Sequence, residues 1–98
     1  MTSPASEGAP EAAVLAPQGT LNLSNAAAAL ADGLESIRAG ARVLDLGAVG
    51  AVDSAGLGVV LEWCRQARAA GAELELRNVP TSLRQLAELY GLRDILPT

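Results

Sequence analysis

The chain is 98 residues long with a net charge of −4, a length that makes one small domain able to bury roughly 60–65% of the surface its unfolded form exposes. Its cations are seven arginines scattered along the sequence with no lysine, so no basic stripe is available to neutralise phosphates and nucleic acid is excluded as a partner. The lack of histidine and the single cysteine, Cys64, exclude the usual zinc constellations and an internal disulfide, and no run approaches the roughly 18–20 apolar residues of a membrane span.

Residues 1–10, MTSPASEGAP, are small, polar and proline-containing, without helical or strand period, and read as a disordered arm; they also lack the basic and apolar regions of a signal peptide. The folded domain is therefore expected over residues 11–98, with a core of Leu, Val, Ile and Ala because the chain has no Phe, one Trp and one Tyr. Residues 12–16 (AAVLA) form a short apolar run, Pro17-Gln18-Gly19 supplies a bend, and Thr20-Leu21 resumes an extended segment. Ser24 or Asn25 is placed to cap a helix with Leu30, Leu34 and Ile37 on one face and Gly40 as its stop.

Residues 42–46 (RVLDL) alternate as a central strand, ending at Gly47 in a turn and a return to extended chain through Val52. From Ser54 to Ala70 the period becomes helical, with Leu57, Val60, Leu61, Cys64 and Ala67 on one side and Gly71 as the terminal glycine. Residues 73–77 (ELELR) alternate again. Pro80-Thr81-Ser82 opens a last helix in which Ser82 and Gln85 have capping-box spacing, Leu83, Leu86, Ala87 and Tyr90 face the core, and Gly91 ends it. Leu92, Ile95 and Leu96 make a short apolar tail. Strands alternating with helices predict an α/β domain, with about four strands in a mostly parallel or mixed sheet and helices packed mainly on one face.

Residue types with positional meaning crowd into Val52-Asp53-Ser54-Ala55-Gly56-Leu57-Gly58, where a strand ends and a helix begins. Ligands and partners of α/β sheets are met at such junctions. One use is structural: Asp53 or Ser54 is an N-cap, and Gly56 and Gly58 let the helix approach the sheet. A second is a switch, because the positive end of the helix dipole would accommodate a phosphate on Ser54, opposed by the neighbouring Asp53. A nucleophilic use of Ser54 is disfavoured by the absence of histidine and of the G-x-S-x-G setting, and a P-loop by the absence of lysine. Trp63 either flanks the core or joins Ser54, Ala55, Val59 and Glu62 in an exposed patch suited to a protein partner. Cys64, inside the apolar stripe, reads as a small core residue.

Asp53-Ser54-Ala55-Gly56-Leu57, preceded by Leu44-Asp45-Leu46 and followed by Asn78-Val79-Pro80, resembles the D-[ST]-x-G-[LI] motif of STAS domains, the family of anti-sigma factor antagonists and related modules. The resemblance runs from about Gly19 to the C-terminus and implies the STAS fold. Leu86-Ala87-Glu88-Leu89-Tyr90-Gly91-Leu92 with Ile95-Leu96-Pro97 is similar to the end of the MlaB-like subgroup, small cytoplasmic subunits of phospholipid-transport ABC complexes. That likeness implies a non-enzymatic, cofactor-free protein, peripheral to the inner membrane without inserting in it. It would bind the transporter's ATPase subunit through the helix starting at Ser54, with Asp53, Ala55, Gly56, Gly58, Val59, Glu62 and Trp63 at the contact. Serine in place of the subgroup's threonine keeps an alternative open: an anti-sigma factor antagonist that binds a serine kinase and is switched by phosphorylation of Ser54.

Overall fold

Two stretches of extended chain are each broken in the middle, and the breaks lie side by side. The computed structural model describes residues 14–92, so the expected arm at residues 1–10 and the apolar Ile95 and Leu96 fall outside the described residues. In the first stretch β1 (Val14–Leu15) is parted from β2 (Gly19–Leu21) at Pro17, which has no N–H for a ladder. In the second, β3 (Val43–Asp45) gives way at Leu46-Gly47-Ala48 to β4 (Val49–Val52). β1 pairs with β3 and β2 with β4, both in parallel, and Gly19 N donates to Ala48 O at 3.0 Å where one ladder hands over to the other.

β5 (Glu75–Arg77) joins the other side of β3, also in parallel, so the strands form a three-stranded sheet β1-β3-β5 and a two-stranded sheet β2-β4. The expected count of about four strands in one sheet becomes, among the described residues, five in two: the return through Val52 is a strand with its own partner. Parallel pairing requires long crossovers. These are α1 (Ala26–Arg38), between β2 and β3, and α2 (Ser54–Ala69), between β4 and β5; α3 (Thr81–Leu89) follows β5.

Register assigns the faces of the larger sheet. Leu15, Leu44 and Leu76 stand in one row across it and all are buried, whereas Glu75 and Arg77, at neighbouring positions of β5, are exposed on the opposite face. Helices thus cover one face, as the alternation implied. At the carboxyl end of β3 and β5, Asn78 takes φ +57°, a conformation asparagine tolerates, and its Nδ2 donates to Asp45 Oδ1 at 3.0 Å. Gly47 N donates to the same oxygen at 2.9 Å, and together the two bonds hold the Asp45 carboxyl below its ordinary pKa of 3.8.

Gly40, Gly71 and Gly91, the predicted helix stops, all take positive φ. The predicted caps fare differently. Asn25 stands at the N-cap of α1, but its side chain turns back: Nδ2 donates to Thr20 O at 2.6 Å and Oδ1 accepts from Asn22 N at 3.0 Å. In α3 the N-cap is Pro80, which puts Ser82 inside the first turn with its hydroxyl buried and without a hydrogen-bond partner among the described residues. Leu83 and Ala87 of α3 are buried as expected, but Tyr90 is 53% exposed, because the helix ends at Leu89 and the chain turns away at Gly91.

Candidate functional site

The mouth of α2 is built around the carboxylate of Asp53. Its backbone is extended at φ −100° and ψ −173°, and its N–H donates to Leu21 O at 3.1 Å, which ties the end of β4 to β2. Oδ1 accepts from Gly56 N at 2.9 Å and so satisfies one of the orphan donors of the helix. Oδ2 accepts from Leu23 N at 3.2 Å, thirty positions away in the loop between β2 and α1. Asp53 is therefore both a cap and a strap between two elements.

Ser54, the first residue of α2, is exposed, and its hydroxyl has no partner among the described residues. Ala55 beside it is half-buried. Gly56 is buried, and a Cβ there would lie 2.4 Å from Leu21 O, so the helix can reach β2 only with glycine at this position. Gly58 is different. A Cβ on it would meet nothing within 4 Å, and the residue is exposed. The expectation that both glycines shape an approach is corrected: Gly56 does so, and Gly58 leaves a shallow place on the outer face of α2, one turn beyond Ser54.

Glu62 continues that outer face. It accepts from Arg65 at 2.5 and 3.0 Å and from Gln66 at 2.9 Å, and these bonds hold its carboxyl down at about 2. The pair is solvated, so it defines surface charge more than stability.

Val59 and Trp63 do not belong to this face. Trp63 is 1% exposed, Val59 is buried one turn before it, and the indole Nε1 donates to Leu30 O of α1 at 3.2 Å. The ring lies against Gly33, where a Cβ would come within 2.0 Å of Nε1. The exposed patch containing Val59 and Trp63 is thus corrected: α2 is buried on two sides, toward the strands and toward α1. The available signal was Gly33 itself, a glycine inside an otherwise alanine-rich helix. Cys64 is buried and free, and burial pushes its thiol up.

One surface residue went unnoticed in the sequence. Leu23 is 79% exposed and is held beside the mouth of α2 by Asp53. Among the described residues no group of three or more His, Cys, Asp or Glu could hold a metal, and no helix is long and apolar enough to cross a membrane.

A family model described as the Mlab STAS domain matches residues 5–97. The chain is also 37% identical over 82 residues to a protein of Bordetella bronchiseptica, BtrV, that carries the name of an anti-sigma factor antagonist; the match covers 82% of this chain and 71% of BtrV.

Proposed function

The chain belongs to the Mlab STAS domain family, and from that premise we propose that it is a non-enzymatic subunit that docks on the ATPase of a phospholipid ABC transporter through the mouth of α2. The observation that carries the reading is the Ser54 hydroxyl, exposed and without a partner among the described residues, on a helix start that Asp53 and Gly56 fix in place. Ala55, Gly58 and Glu62 extend the contact along the same face. The match to the Mlab model over residues 5–97 supports a transporter as the partner's home. In this reading the protein is cytoplasmic and reaches the inner membrane only through the complex.

Affinity capture from native membranes tests it. Recovery of an ABC ATPase with its permease is expected, and their absence counts decisively against the proposal. Ser54→Asp adds a further negative charge beside Asp53 at the centre of the contact and should weaken capture by roughly 10-fold or more. The same carboxylate at a helix N-terminus contributes about 0.3–1 kcal/mol, so thermal stability should hold or rise, which separates lost docking from lost fold.

The likeness to BtrV favours a second reading, an anti-sigma factor antagonist released from its serine kinase when Ser54 is phosphorylated. The exposed hydroxyl at the positive end of α2 is compatible with that modification. Intact mass after incubation with the cognate kinase and ATP decides it, and an unmodified Ser54 removes the reading.

A further inference from the structure

A single exposed leucine is ordinary on a protein surface; what distinguishes Leu23 is how firmly it is held and where. Within its loop, Asn22 Oδ1 accepts from Ser24 N at 3.0 Å and from Ser24 Oγ at 2.7 Å, while Asn25 bonds both Asn22 N and Thr20 O. Asp53 Oδ2 adds the bond to Leu23 N. The leucine side chain therefore projects from ordered backbone, and a partner that buries it meets little ordering cost.

Charge narrows what that partner presents. In residues 22–25 and 53–58 the sole ionisable side chain is Asp53, and both of its oxygens already accept hydrogen bonds from backbone N–H groups. The surface around Ser54 thus carries one carboxylate, held by backbone N–H groups, among small uncharged residues with one protruding apolar group. We propose that Leu23 is the apolar anchor of the α2-mouth interface and that Asp53 is the positioning residue that keeps it in register with Ser54. The inference rests on the docking reading above. The matching surface on the ATPase subunit is an apolar recess of leucine size next to a hydrogen-bonding group for the Ser54 hydroxyl.

The test is titration of the full-length chain and its variants against the purified ATPase subunit recovered in the membrane capture. Leu23→Ala should weaken binding by roughly 10-fold or more, the scale of an interface anchor, with the thermal midpoint unchanged because the side chain is already in water. Asp53→Asn keeps an oxygen to cap Gly56 N but offers an NH2 group to Leu23 N, so binding should also weaken. Amide exchange at Leu23 should then quicken while that at Gly56 stays protected, a pattern that general destabilisation would not give. Wild-type binding with no loss in Leu23→Ala overturns the anchor and leaves the docking reading standing. Failure to recover any ATPase overturns the docking reading and the anchor with it.

Discussion

At Gly56 a methyl group would sit 2.4 Å from one backbone oxygen and 2.9 Å from the carbonyl carbon of Leu21, so neither side can yield without moving α2 off β2. Gly56→Ala should cost about 2–3 kcal/mol, read as a lower urea midpoint. At Gly33 the obstacle is the indole of Trp63, a side chain wedged between two helices. Gly33→Ala should also destabilise, and because Trp63 is the single tryptophan its emission should shift to the red as the ring is pushed toward solvent. Unchanged emission with full stability would mean that the two helices are not in close contact there. The D-S-A-G motif made Gly56 legible in the sequence, since a glycine two residues inside a helix start has few other reasons to be there. The seat of Trp63 was not legible, because its partner lies on a different helix and periodicity within α2 alone places the ring at the margin of the stripe.

Within α2 three tasks are distributed around one cylinder. Leu57, Val60, Cys64 and Ala67 make the stripe that the 3.6-residue period predicts, and Val59 with Trp63 widens it toward α1. Ser54, Gly58 and Glu62 remain for the solvent side. A glycine in a helix interior costs about 1 kcal/mol relative to alanine, and nothing within 4 Å of Gly58 needs the space. Gly58→Ala should therefore raise stability by about 0.5–1 kcal/mol while weakening capture of the ATPase, because the added methyl fills the shallow place beside Ser54. A stabilised variant that binds as well as wild type would remove Gly58 from the interface. Other elements were legible to different degrees. Strand positions and the glycine stops followed from alternation and turn chemistry, but the split into two sheets did not, since a three-residue strand beyond a kink is too short to show a period. The capping-box spacing at Ser82 misplaced the start of α3 for a related reason: Pro80 already occupies the cap, and spacing cannot tell which polar residue stands outside the helix.

Across the whole molecule, charge contributes at the surface. The half-buried carboxyls of Glu62 and Asp45 and the exposed one of Glu75 are each held below their ordinary values: Glu62 by Arg65 and then Gln66, Asp45 by Asn78 and then Gly47, Glu75 by Arg77. A carboxyl with a depressed folded pKa binds its proton more readily when the chain is unfolded, so the stability it contributes is complete above the unfolded value and is lost as pH falls through the folded one. For Glu62 that window opens near 4.5 and closes near about 2, and for Asp45 it opens near 3.8. With no histidine in the chain, no side chain of ordinary pKa titrates between pH 5 and 8. The unfolding midpoint should therefore be flat across that range and fall below pH 4.5. Glu62→Gln should make the decline shallower and lower the plateau by the same small amount, since what acid removes is what the carboxylate contributes above it, and that contribution is small because its pairs are solvated. Salt at 1 M should act in the same direction by screening the arginine partners, but should leave the part due to Asp45, whose leading partners are the uncharged Asn78 amide and Gly47 N–H. A decline that vanished entirely in salt would mean that ion pairs alone govern it, and would sink the role given to the Asp45–Asn78 clasp at the end of β3 and β5.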